Sequence, residues 1–178
     1  ISGISNGDTI QSTFTDGIGM NTANTSSFIF SEVATTPWFS TTSNSWSASW
    51  ADVNGDGLDD IFVTERDKTK SNYLYLQNTN HTFTKVTTGN IVTDHAVSTS
   101  VSFADIDNDG DLDLFIANDT KFYNELFIND GNGNFTLNKE SGLSSSVGYY
   151  QSASWVDYDL DGFVDLFLGN YFATRFNE

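Results

Sequence analysis

The chain has 178 residues, with 24 acidic against 7 basic side chains, a formal net charge of −17 and no cysteine. That length suits one domain with a real core. The missing thiols exclude a disulfide framework and a thiolate metal site. The acidity argues against nucleic acid or an anionic membrane as partner, and no apolar run approaches the ~18 residues of a membrane span. No signal peptide is visible and the first residue is Ile1 rather than Met, so the chain reads as a processed protein or a piece of one.

Residues 1–27 are rich in Ser, Thr, Asn and Gly, with a strand read around residues 9–14. A repeat begins at residues 28–33 and sets the boundary between this segment and residues 28–178. Phe30, Phe83 and Phe135 each lie 22 residues before an aspartate: Asp52, Asp105 and Asp157. A connection holding the only proline, Pro37, leads to Ser47-Ala48-Ser49-Trp50-Ala51. Its counterparts are Ser100-Val101-Ser102-Phe103-Ala104 and Ser152-Ala153-Ser154-Trp155-Val156. Small residues alternate with larger ones at a period of two, which predicts strands. After each acidic loop comes an unbroken apolar run, at 61–63, 114–116 and 166–168, which predicts strands covered on both faces. Further strands are predicted over 72–78 and 124–130, then at 83–86 and 135–138 after tight turns. The Asp130-Gly131 pair is a strong hairpin signal. No stretch has helical periodicity. Four short strands per repeat of about fifty residues describe a β-propeller blade.

The acidic loops punctuate this pattern. They are Asp52-Val53-Asn54-Gly55-Asp56-Gly57-Leu58-Asp59-Asp60, Asp105-Ile106-Asp107-Asn108-Asp109-Gly110-Asp111-Leu112-Asp113 and Asp157-Tyr158-Asp159-Leu160-Asp161-Gly162-Phe163-Val164-Asp165, starting 53 and 52 residues apart. They carry four, five and four acids, 13 of the chain's 24. An ordinary turn is the bland reading of one such cluster; three in one register are a repeat. Crowded carboxylates repel one another unless something positive sits between them. A chain bent around a point aims alternate side chains inward, and glycine at position 6 permits the positive φ of that bend. Position 7 can offer its carbonyl and position 9 a closing carboxylate. All donors are oxygens, which favours a hard cation, and six or seven flexible oxygens favour Ca²⁺ over Mg²⁺. Position 12 is Val63, Ile116 or Leu168, so the bidentate Glu of an EF-hand is missing. Three bound Ca²⁺ would bring the net charge to about −11.

The residues Leu126-Phe127-Ile128-Asn129-Asp130-Gly131-Asn132-Gly133-Asn134-Phe135-Thr136, then Glu140-Ser141-Gly142-Leu143, then Ser154-Trp155-Val156-Asp157 and its loop resemble the FG-GAP/VCBS-type calcium-binding propeller repeats. Such repeats occur in integrin α-subunit propellers, in the cartilage acidic protein group and in many secreted bacterial proteins. The resemblance runs from about residue 28 to the end. It implies an all-β partial propeller of about three blades, each of four antiparallel strands, with one Ca²⁺ per loop and three sites in all. The side-chain ligands it implies are Asp52, Asn54, Asp56 and Asp60; Asp105, Asp107, Asp109 and Asp113; Asp157, Asp159, Asp161 and Asp165. The carbonyls of Leu58, Asp111 and Phe163 would complete the cages. Asn54, standing where the other loops have Asp, makes the first site the weakest. The Phe-Gly and Gly-Ala-Pro signatures of the integrin type are absent. The count is one terminal strand, two complete blades and half of another, against about 4–8 blades in closed propellers. A fragment whose other blades lie elsewhere is the favoured reading, with self-assembly of copies beside it.

The function expected is that of a secreted or cell-surface module in which structural Ca²⁺ bolts the blades, serving adhesion, assembly or recognition of a protein or glycan. Oxygen-only sites are of most use where calcium is abundant, outside the cytosol. A lectin is the alternative, with Trp38, Trp46, Tyr149, Tyr150 and Tyr171 as aromatics outside the repeat register, although blade packing is the plainer role for any one of them. A third reading is the non-catalytic part of a polysaccharide-degrading enzyme. The spare acids are Asp8, Asp16, Glu32, Glu65, Asp67, Asp94, Asp119, Glu125 and Glu140, and His81 and His95 fall in connections. None forms a recognisable acid–base constellation, and catalysis is not expected. Sequons stand at Asn24, Asn80, Asn118 and Asn134.

Overall fold

The computed structural model describes residues 43–143 and 147–170. The strands expected at 9–14 and 28–33, the boundary at residue 28, and Trp38 and Tyr171 lie outside them. Within the described residues the fold is all-β. The first sheet holds β1 (Ser45–Ala51), β2 (Asp60–Glu65), β3 (Tyr73–Gln77) and β4 (Phe83–Lys85) in that order, each pair antiparallel. A short helical turn at Asn90–Val92 interrupts the connection to β5 (Ser98–Ala104). The second blade continues with β6 (Asp113–Tyr123), β7 (Glu125–Asn129) and β8 (Phe135–Leu137), and the third sheet begins with β9 (Val147–Val156) and β10 (Asp165–Asn170). No helix among the described residues is long and apolar enough to cross a membrane.

The registers explain the period-two pattern. Phe62 of β2 lies opposite Ser49 and Leu74, while Trp50 lies opposite Ile61 on the other face. Phe115 of β6 is flanked by Ser102 and Leu126; Leu114 is flanked by Phe103 and Phe127. Phe62, Leu74, Leu114, Ile116 and Phe127 therefore meet in one core between the first and second blades, with Phe103 and Leu137 against it. The other face of the second blade presents Phe115, Ala117 and Leu126 to Ala153, Trp155, Leu166 and Leu168 of the third sheet. Phe115 and Trp155 meet edge to face, with ring centroids 6.0 Å apart. Phe103 and Trp155, the aromatics before the second and third loops, thus face the preceding sheet, and Phe62 and Phe115, after the first and second loops, face the following one.

Among the described residues, only the middle blade is covered on both sides. Leu114, Phe115 and Ile116 are each 0% exposed, whereas Phe167, the third copy of the Phe62/Phe115 position, is 68% exposed. The continuous apolar run at 166–168 predicts cover on both faces. In the structure no described strand lies over the Phe167 face of the third sheet. Trp50, at 55% exposure, turns away from the second blade and touches Phe83.

One pairing departs from simple blades. β6 runs past its partners in the second blade, and its end pairs with β9, Asp119 opposite Tyr149 and Tyr123 opposite Val147. The second and third blades therefore share one six-stranded sheet. Just before the overshoot, the sequon residue Asn118, paired with Ser98, is 0% exposed and donates its Nδ2 to the Tyr123 carbonyl at 2.7 Å. Asn80 and Asn134 lie exposed in hairpin turns.

Phe115→Ala should cost about 3–5 kcal/mol, the usual range for deleting a buried phenylalanine. Phe167→Ala should change stability by no more than about 0.5 kcal/mol, as at an exposed site. Urea unfolding of both variants checks the contrast, and equal losses would contradict the two-sided burial of the middle blade alone.

Candidate metal centres and the opposite face

The three acidic loops share one hydrogen-bond pattern at positions 1, 3 and 5. The carboxylate at position 1 accepts two backbone amides from across the bend. Asp52 takes those of Asp56 and Gly57 at 3.1 and 2.8 Å. Asp105 takes those of Asp109 and Gly110 at 3.1 and 3.1 Å, and Asp157 those of Asp161 and Gly162 at 3.1 and 3.1 Å. The same position-5 amide also donates to Asn54, Asp107 or Asp159 at position 3, at 3.0, 3.3 and 3.2 Å. Position 5 in turn accepts from position 7: Leu58 to Asp56, Asp111 to Asp109 and Phe163 to Asp161, at 2.9, 2.9 and 2.8 Å. These bonds aim the side chains at one point while leaving each oxygen further lone pairs for a cation. Oxygens of Asp105, Asp107 and Asp109 lie within 4.8 Å of one another, as do those of Asp157, Asp159 and Asp165. Among the described residues the first loop forms no such acidic triad, and its position 3 is the amide of Asn54.

Position 9 fastens the loop to the blade. Asp60 accepts the Val53 amide at 3.1 Å and the Gln77 amide of β3 at 2.8 Å. Asp113 does the same with Ile106 at 3.0 Å and Asn129 at 2.9 Å. Asp165 accepts from Tyr158 at 2.9 Å. Asp60 and Asp113 are 1% and 0% exposed. Burial pushes both carboxyls above their ordinary range against the pull of those amides, and loop acids raise them further: Asp56 and Asp52 for Asp60, Asp107 and Asp109 for Asp113. Asp111 is likewise raised, first by desolvation and then by Asp109, Asp105, Asp130 and Asp107. The donor chemistry fits a divalent cation, whose charge would relieve this crowding.

Two features of the loops go beyond the sequence signals. Position 4 is left-handed as well as position 6: Gly55, Asn108 and Leu160 have φ of 71, 61 and 62°. Gly and Asn signal such a site, and Leu160 gives no signal. The loops are also tied to each other. Asn129 donates Nδ2 to the carbonyls of Val53 and Leu112 at 2.8 and 3.1 Å, bridging the first two loops. Asn108 donates to the Gly162 carbonyl at 3.1 Å, bridging the second and third.

At the opposite end of the blades, the described residues line two hollows. The smaller, about 410 Å³, is lined by Trp46, Arg66, Asp119, Tyr149 and Gln151. Arg66 bonds Asp119 at 3.0 Å and covers the Trp46 ring at 4.4 Å. Of the aromatics outside the repeat register, Trp46 is thus half exposed beside Tyr149, while Tyr150 packs against the core of the middle blade. The larger hollow, about 440 Å³, lies between the β4–β5 connection and the β6–β7 turn. There the fold brings together Asp94 and Glu125, two acids that nothing in the sequence pairs. Burial and the Asp94 carboxylate push Glu125 up to about 8, and burial raises Asp94. Glu125 therefore keeps its proton at neutral pH and donates it to Asp94. His81 and His95 are exposed in connections.

Both environments can be tested by stability. Left-handed backbone costs an ordinary side chain roughly 1–2 kcal/mol and Asn less, so Leu160→Asn should gain about 1 kcal/mol and Asn108→Leu should lose a similar amount, read by urea unfolding at saturating Ca²⁺. Glu125 binds its proton more tightly folded than unfolded, so its share of stability is full below pH 4.5 and is lost as pH rises through about 8. Melting temperatures across that window should fall in the parent chain, and Glu125→Gln should flatten the slope.

Comparison with known proteins agrees with this geometry. No curated protein matches the chain. The FG-GAP-like repeat matches three times, at residues 20–63, 52–116 and 105–168, each match running into or between the acidic loops. Together the matches span residues 20–168 of 178. With three matched repeats spanning most of the chain, two four-stranded antiparallel blades among the described residues and an acidic loop in each repeat, this chain belongs to the FG-GAP-like repeat family.

Proposed function

We propose that this chain is a calcium-braced segment of a β-propeller and works outside the cytosol as a recognition or assembly module. The observation that carries the reading is the repetition of one oxygen-lined loop geometry in three successive repeats. FG-GAP-like repeats commonly bind Ca²⁺ and are typically extracellular. The ion in each loop would be held by the side chains at positions 1, 3, 5 and 9, namely Asp52, Asn54, Asp56 and Asp60 in the first loop, Asp105, Asp107, Asp109 and Asp113 in the second, and Asp157, Asp159, Asp161 and Asp165 in the third. The carbonyls of Leu58, Asp111 and Phe163 would join them. Its work is structural: it neutralises the carboxylates and fixes the turn between two inner strands. The face that meets a partner is the opposite one, where the connections are long and the hollows lie. The exposed Phe167 face supports apposition of a further blade, from the same chain or another.

Calorimetric titration should give three Ca²⁺ per chain, the first loop binding most weakly. Asp107→Ala with Asp109→Ala should remove one of them. At 100 times its dissociation constant an ion adds about 2.7 kcal/mol per independent site, so chelation should lower the melting temperature. Unchanged stoichiometry in the double variant would overturn the ligand assignment, and an unchanged melting temperature would overturn the structural role.

A further inference from the structure

The β7–β8 turn is wedged between the first two acidic loops. Asn129, at its start, is 3% exposed. Its main-chain amide donates to Asp113 Oδ1, the closing carboxylate of the second loop, at 2.9 Å. Its Nδ2 donates to the Leu112 carbonyl of that loop at 3.1 Å and to the Val53 carbonyl of the first loop at 2.8 Å. Its Oδ1 accepts the Gly133 amide at 3.2 Å, which ties the side chain to the far end of the turn. The rest of the turn fits closely between the same two loops. A Cβ on Gly131 would collide with the Asp111 carboxylate of the second loop, and one on Gly55 of the first loop would stand 3.4 Å from the Gly131 carbonyl. A Cβ on Gly133 would lie 3.7 Å from that of Asn54. The link between the second and third loops is slighter, a single exposed bond of 3.1 Å from Asn108 to the Gly162 carbonyl.

The carbonyls that Asn129 holds stand at positions 2 and 8 of their loops. The ligand positions are 1, 3, 5, 7 and 9, so Asn129 takes no oxygen away from either ion. It fixes instead the peptide before Asn54 in the first loop and the peptide before Asp113 in the second. Val53 is 1% exposed and its own amide is bonded to Asp60 at 3.1 Å, so the residue between Asp52 and Asn54 is pinned at both ends. In an empty second loop the carboxylates repel one another. Neutralised, that loop would hold positions 8 and 9 still, and these are the residues on which Asn129 is anchored. A fixed Asn129 presents its Nδ2 to Val53, so part of the ordering that the first loop needs is already done. We propose that Asn129 is a positioning residue that couples the first two calcium loops, an ion in the second raising the affinity of the first, and by linkage the reverse. The proposal rests on the calcium reading and adds an order of filling to it: the first loop, with an amide at position 3, depends on the second. Charge alone gives the opposite sign, because an ion in one loop lowers the negative potential that draws an ion to the next.

The test is a Ca²⁺ titration of the whole chain followed by nuclear magnetic resonance. The amides of Gly57, Gly110 and Gly162 report one loop each, since each is bonded to its loop's position-1 carboxylate. Emptying the second loop with Asp107→Ala and Asp109→Ala should weaken binding at the first about tenfold, within the usual range of coupling between sites. In an Asn129→Ala background the same emptying should leave the first loop's affinity unchanged. Asn129→Ser, whose hydroxyl cannot span two carbonyls, should behave likewise. Asn108→Gly, which cuts the bridge to the third loop and suits the left-handed backbone there, should leave the coupling intact. First-loop affinity indifferent to the second loop, a gain on emptying it, or coupling that survives both Asn129 substitutions overturns the assignment. A chain that folds with neither substitution makes Asn129 a structural residue and overturns it too. Three ions bound independently by the parent chain remove the coupling alone, whereas no ion bound at any loop removes the calcium reading beneath it.

Discussion

Carboxylates drawn into a nine-residue bend repel one another, and the fold is arranged around offsetting that repulsion. Part of the answer is built from the backbone. Position 1 gathers two amides, position 3 shares one of them, and position 9 reaches out of the loop to the third strand through Gln77 in the first blade and Asn129 in the second. The loop is therefore more than a turn between two strands. Its last aspartate is also the first residue of the next strand, buried in Asp60 and Asp113 and bonded on both oxygens. Remaining charge is what a cation would neutralise, and 13 of the chain's 24 acids stand where the strands turn.

Packing follows from that anchoring. Once the inner strands are fixed at the loop, their side chains alternate between the preceding and following sheets, and the middle blade holds the most completely buried core. Phe115 meets Trp155 on one side, while Leu114 meets the Phe62 cluster on the other. The sheets at either side each keep one face of the same design, visible in the exposure of Phe167 and Trp50.

Much of this is legible in the amino-acid sequence alone. The spacing of the loops, the alternation ahead of them and the apolar runs after them rest on local chemistry, so the strands stand where those signals put them. Legibility fails where the cause is not local. Leu160 carries no mark of its left-handed backbone, because the bend imposes that conformation on whichever residue stands fourth. The extension of β6 into pairing with β9 depends on how two blades meet, which no period reports. Asp94 and Glu125 each read as a spare acid outside any constellation, and only the chain path puts one carboxyl against the other.

Asn118 carries a consequence for biosynthesis. Its Nδ2, the atom to which an N-linked glycan would be attached, is committed to the Tyr123 carbonyl and to Glu125 inside the blade. Modification and folding are mutually exclusive at this residue, whereas Asn80 and Asn134 remain reachable in their turns. In a cell that glycosylates its exports, closure of the second blade would be in a race with the transferase. Chains modified first could not complete β6, and the sequon would then act as a timer that sorts slow folders from fast ones.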